Sequence, residues 1–198
     1  MRTSFACCPL VKSGFLIAIG TLFGLWLPSW FAPGTVAATQ EKAGAGREER
    51  IRQLKLELPA VTKPTNTLVN AVRVGDMLYV SGTGPGKVDG KALVGRLGQD
   101  YDVAQGKAAA RQVGLHILAV VKAEMGSLDK VQRLVKTLGM VNAAPDFKQH
   151  PEVINGFSDL MVEVFGEEAG KSARSAVGMS SLPYGIPVEI ECIFQVRK

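Results

Sequence analysis

The chain has 198 residues, 46% of them hydrophobic, with 23 basic and 18 acidic side chains and a formal net charge of +5. That length suits one domain with appendages, and the mild, dispersed charge, without a Lys/Arg cluster interleaved with aromatics, gives no reason to expect nucleic acid as a partner. The two histidines (His116, His150) lack ligand spacing, and of three cysteines Cys7 and Cys8 fall in the N-terminal leader, residues 1–38, leaving Cys192 alone, so neither a metal site nor an internal disulfide is expected.

Residues 1–38 carry Arg2 and Lys12 and no acid. An uncharged apolar run, Ser13–Phe31, follows, and small residues end at Ala38. This order describes a secretory signal peptide, so an exported protein (periplasmic or secreted) is expected, with no membrane contact after cleavage. The alternative is an N-terminal membrane anchor, since the run approaches the length of a spanning helix. Beyond it the charge balance falls to 21 basic against 18 acidic residues, and only Cys192 remains. Residues 39–50 read as a linker and 51–198 as the domain, although Glu48–Leu58 has the composition of a short helix that ends before Pro59 and Pro64.

TLVNAVRV and MLYVSG are two strand-like runs separated by Gly75-Asp76, a two-residue hairpin turn. The Gly-rich segment SGTGPGKVDGKALVG is a turn-rich loop. Lys87 is followed by Val88, so its spacing does not fit a phosphate loop. From Asp102 to Met125 the period becomes helical, with Ala110, Val113, Gly114, Ile117 and Val121 on one face. Gly126 ends that helix, and Val131–Val141 reads as a strand. A second helix is predicted over about Pro151–Phe165, burying Ile154, Phe157, Met161, Val164 and Phe165. Strands near Ala173–Ser180 and Pro187–Val196 close the chain. In the last, Val188, Ile190, Cys192, Phe194 and Val196 alternate with a more polar set that includes Glu189 and Glu191.

This order predicts an α+β two-layer sandwich, a mixed sheet with two helices on one face. The other sheet face, carrying Val177, Met179 or Ala176 beside Glu189 and Glu191, is neither fully apolar nor fully charged. A homo-oligomer would cover it. Arg174 opens a strand-like segment, so it is either a solvated strand residue or a fixed anion-binding group.

AVRVGDMLYVSG, GSLDKV before a strand, and the elements ARS, LP and VEIE in that order resemble the RidA (YjgF-type) family, over about Leu54 to Val196. The resemblance implies a chorismate-mutase-like fold and a homotrimer with clefts between subunits. It also implies hydrolytic deamination of reactive enamine or imine acids, of the 2-aminoacrylate type, to a 2-keto acid and ammonia, with no metal or organic cofactor. Arg174 matches the family's substrate-binding arginine and Glu189 its acidic position, so these two are the expected catalytic pair. Ser81 and Gly82 match a cleft-lining Ser-Gly, Asn155 an asparagine that reaches the site, and Ser175 and Ala176 flank the arginine. The chemistry is consistent with this. A guanidinium grips a small carboxylate-bearing substrate in a bidentate way, and a carboxylate orients water and shuttles protons.

Two departures stand out. Ala176 occupies a position where many members carry cysteine, and Leu68 lies near their usual tyrosine. A hairpin drawn through LPYGIP sets Glu189 opposite Ser180 and leaves Arg174 roughly 20 Å away, so the pair is expected to meet only across a subunit boundary. Two other readings remain: a non-catalytic module that holds a carboxylate metabolite in the same cleft, and a ribonuclease, against which the modest charge and the lack of a histidine pair weigh.

Overall fold

A computed structural model describes residues 46–64, 67–88 and 90–198. The expected leader, 1–38, and residues 39–45 of the expected linker lie outside them. Residues 47–50, also assigned to the linker, instead begin a helix, α1 (Arg47–Gln53). Glu48 ties it down: its carboxylate accepts from the Leu128 backbone N–H at 3.0 Å and from Lys122 Nζ at 2.7 Å. Helix α1 is therefore part of the domain.

The Gly75-Asp76 turn joins β1 (Ala71–Val74) to β2 (Met77–Thr83), with Val74 opposite Met77 and Gly75 at a φ of 62°. The glycine-rich loop that follows holds a small separate hairpin, β3 (Lys87–Val88) and β4 (Lys91–Ala92). Helix α2 (Val103–Met125) starts at a capping box, where Asp102 accepts from the Gln105 N–H at 2.8 Å and the Gln105 side chain accepts from the Asp102 N–H at 2.9 Å. All five predicted core positions of α2 are buried. Then come β5 (Val131–Asn142), α3 (His150–Gly170, longer than predicted and interrupted at Gly166), β6 (Ala173–Met179) and β7 (Val188–Val196).

The five-stranded sheet runs β1-β2-β7-β5-β6, with β5 and β6 parallel and the other pairs antiparallel. Helices α2 and α3 pack on one face over Leu78, Val80, Leu134, Val141, Ile190, Cys192 and Phe194. The predicted sandwich is thus present, with α1 as a third helix. The predicted β6–β7 hairpin is not. β5, α3 and β6 form a crossover unit that lays β6 beside β5, and β7 takes the other edge of β5. Residues 180–187 carry the chain past the end of β5 rather than folding back on β6.

Parity assigns the open face. Val72, Val74, Tyr79, Val177, Met179 and Glu191 are exposed on it, and Glu189 lies on it half-buried. Ala176, which sequence alone could not separate from Val177 and Met179, lies opposite Gly139 and packs inward against the core.

Candidate active site

Arg174 is the second residue of β6, an edge strand, in register with buried Thr137. Its side chain turns toward the helix layer. Nη1 donates to Asn155 Oδ1 at 2.8 Å and to Ser158 Oγ at 2.9 Å, both on α3. Asn155 and Ser158 are three residues apart on a helix and so share a face. Thr137 Oγ1 and Ser172 Oγ, 2.9 Å apart, add two hydroxyls on the same side of the sheet. Among the described residues Arg174 forms no ion pair and donates from neither Nε nor Nη2. A guanidinium has five N–H donors; with Nη1 committed, the Nε/Nη2 edge is left, and that edge matches a carboxylate in a bidentate way.

Glu189 belongs to a second group. It is the second residue of β7, opposite Met140 on β5, and lies on the open face. Across from it β2 bulges: Val80 pairs with Cys192 and Thr83 with Ile190, so Ser81 and Gly82 together oppose Glu191. The Glu189 carboxylate occupies the space beside position 82 that a Cβ there would enter, space that glycine leaves open. Ser81 Oγ donates to the Val69 carbonyl at 2.6 Å and fixes the bulge to the segment before β1. Burial, with the like charge of Glu191 nearby, raises the Glu189 pKa above the ordinary carboxylate value.

The expected site is therefore split within one protomer. Arg174 and Asn155 meet on the helix side of β6, and Glu189 and Gly82 meet on the open face of β7. From Arg174 across to Glu189 is two strand spacings, about 10 Å, and three residues along, about 10 Å. Ser175, expected to line the site, faces away from Arg174, where its Oγ accepts from Lys136 Nζ at 3.3 Å. Ala176 is on the Arg174 side. Ser158 was not anticipated; its only sequence signal is its i+3 spacing from Asn155.

His116 is half-buried on α2 and bonded to the Pro85 carbonyl; burial lowers its pKa, and it takes no part in either group. Cys192 is buried, and that burial pushes its thiol well up, so it is no nucleophile. Among the described residues no cluster of His, Cys, Asp and Glu is placed to hold a metal, and no helix is long and apolar enough to cross a membrane. A shallow apolar groove between α1 and α2, lined by Ile51, Leu56, Leu58, Val61 and Ala119, shares no residue with either group.

A family model described as "YjgF/chorismate_mutase-like, putative endoribonuclease" matches residues 48–192. The chain belongs to this YjgF/RidA family. Protein TCP17 of Trypanosoma cruzi is 40% identical over 147 residues, covering 74% of this chain and 92% of TCP17. The crystal structure of Atu1372 from Agrobacterium tumefaciens, a protein of unknown function, is 40% identical with a TM-score of 0.68, covering 76% of this chain and 92% of that one. A Shewanella oneidensis protein described as a putative endoribonuclease is 30% identical with a TM-score of 0.71, covering 76% and 99%.

Within this YjgF-type frame the departures acquire places. Ala176 puts a methyl group on the same, core side of β6 as Arg174, and Leu68 is exposed just before β1. Neither disturbs the hydrogen bonds that orient Arg174 or the bulge beneath Glu189.

Proposed function

We propose that the protein hydrolyses the enamine or imine forms of 2-amino acids to 2-keto acids and ammonia, in clefts between the protomers of a homotrimer. The observation that carries this reading is the uncommitted Nε/Nη2 edge of Arg174. Two neutral oxygens orient this half-buried cation and no ion pair among the described residues neutralises it, so it suits an incoming carboxylate.

In the proposed reaction the 2-imino acid places its carboxylate on Arg174 and its C2=N bond toward a water. Water oxygen bonds to C2, and the C=N π pair moves to nitrogen. One water proton passes to nitrogen to give the carbinolamine; its hydroxyl then loses the second, the nitrogen gains a second, and cleavage of the C–N bond releases ammonia and forms the ketone. An enamine first takes a proton at C3 and gives one up from nitrogen to become the imine. A carboxyl group whose pKa is raised by burial holds a proton more readily than an ordinary carboxylate and can both take and return one, which is the role assigned to Glu189. Within a protomer Glu189 and Arg174 are on opposite faces, so the proposal has a neighbouring protomer complete each cleft. The expected signal peptide would put this chemistry outside the cytoplasm.

Ala176, in place of the family's frequent cysteine, favours one alternative: a module that binds carboxylate metabolites without turnover. The ribonuclease reading is weaker, because neither histidine joins the Arg174 group. The test generates 2-aminoacrylate in situ and follows its decay with wild type and Arg174→Ala. Acceleration by wild type, reduced about a hundredfold in the variant, supports deamination. Unaccelerated decay with saturable binding of a 2-keto acid supports the binding module.

A further inference from the structure

One buried side chain gathers the loop that leads into β7. Asn142, the last residue of β5, is buried. Its Nδ2 donates to the carbonyls of Gly95 at 3.3 Å, Gly185 at 3.5 Å and Ile186 at 3.3 Å. Its backbone N–H donates to the Pro187 carbonyl at 2.9 Å, and its own carbonyl accepts from the Leu97 N–H at 2.9 Å. Three consecutive carbonyls, from Gly185 to Pro187, thus converge on one residue. These acceptors fix the amide's orientation, because turning it over would aim Oδ1 at three oxygens. As placed, Oδ1 is the one buried side-chain polar atom among the described residues without a hydrogen-bond partner. A buried acceptor left unpaired is costly, and the donations from the other end of the amide offset that cost.

The gathered loop is strained. Tyr184 has φ 58° and ψ 12°, the left-handed region that favours glycine, and it is 94% exposed, so its own packing does not hold it there. Such strain persists where the surroundings over-determine the backbone. Here Leu182 is buried, Gly185 N–H donates to the Leu182 carbonyl at 3.0 Å, and Gly95 N–H donates to the Gly185 carbonyl at 2.9 Å. Ile186 Cδ1 lies against Gly84, two residues beyond the Gly82 that sits beneath Glu189. Glu189 itself comes two residues after Pro187.

We propose that Asn142 is a positioning residue for Glu189: by holding the carbonyls of residues 185–187 it sets the entry of β7, and so the seat of the carboxylate over Gly82. Asn142 touches neither substrate nor Glu189, and the catalytic part of the proposal rests on the acid–base reading of Glu189 above.

The test compares Asn142→Leu, which keeps the volume and removes the donor, with Asn142→Ser, which keeps a shorter one. Chymotryptic scission of the Tyr184–Gly185 bond, followed by mass spectrometry on the folded full-length protein, reads the loop. Carboxyl NMR, with the signal assigned by its loss in Glu189→Gln, reads the titration of Glu189 beside its like-charged neighbour Glu191. In wild type slow scission and a titration above the ordinary 4.5 are expected. In Asn142→Leu scission quickens about tenfold, and the Glu189 titration moves back toward 4.5. Where wild type deaminates, kcat falls about tenfold or more, while KM, set by Arg174, changes by less than about twofold. Asn142→Ser falls between, and it decides the matter if Asn142→Leu does not fold. Wild-type scission, or quickened scission with an unmoved Glu189 titration, overturns the proposal. An inactive wild type sinks the deaminase reading alone, because scission and titration are read without turnover.

Discussion

Arg174 is held by a pair of neutral acceptors on α3, so its usefulness depends on planar geometry as well as charge. A lysine at this position keeps the charge but loses the fork and both Nη1 hydrogen bonds. Arg174→Lys is therefore expected to lower kcat/KM for an imino acid nearly as far as alanine does, with the melting temperature little changed. Ser158→Ala removes one of the two orienting bonds and should raise KM by about five- to tenfold, read from steady-state rates. Glu189 makes a prediction that needs no substrate. Its folded-state pKa is above the unfolded value, so the native state binds the proton more tightly, and stability falls as pH rises from about 4.5 through the folded pKa. Glu189→Gln should match wild type in thermal melts near pH 4 and exceed it near pH 8, while losing turnover. An identical difference at both pH values contradicts the assigned environment.

At the scale of elements, α2 and α3 cross where Gly156 meets the Lys107 carbonyl so closely that any Cβ would overlap it. Neither partner there is a flexible side-chain end, so Gly156→Ala must push the helices apart. A cost of about 2 kcal/mol is expected, seen as a fall of about 6 °C in melting temperature. Ion pairs beside the crossing, Arg111–Glu163 at 2.7 Å and Lys107–Asp159 at 2.8 Å, are partly exposed and offset little of it. Much of this layer is legible in sequence. Asp102 and Gly126 bracket α2, Gly75-Asp76 sets the first hairpin, and the alternation in β7 puts Cys192 inside and Glu189 out. Strand order is not legible in the same way. LPYGIP reads as a hairpin turn because neighbouring strands usually pair, whereas the parallel β5–α3–β6 crossover is decided by packing between distant segments. The site inherits that limit. In β6 small residues sit on both sides, so parity does not reveal that Arg174 faces α3 and Ser175 the open face. Ser158, a serine on a helix, looks like surface until Arg174 is folded against it.

At the scale of the whole molecule, two features point the same way. The open sheet face shows Val72, Val74, Tyr79, Val177 and Met179 to solvent, and the residues proposed to act together are on opposite faces of one protomer. An oligomer would cover the first and explain the second. Val177→Asp on that face should yield a monomer by light scattering that keeps its fold by circular dichroism, yet loses turnover with Arg174 and Glu189 both intact. The central claim is that Arg174 of one protomer and Glu189 of another complete a single cleft. Its most direct test co-expresses differently tagged Arg174→Ala and Glu189→Gln chains and purifies the mixed trimers by both tags. Each mixed trimer then holds one cleft in three with both groups present, so about a third of wild-type 2-aminoacrylate hydrolysis should return from two inactive parents. Mixed trimers as inactive as their parents, beside an active wild type, would contradict it.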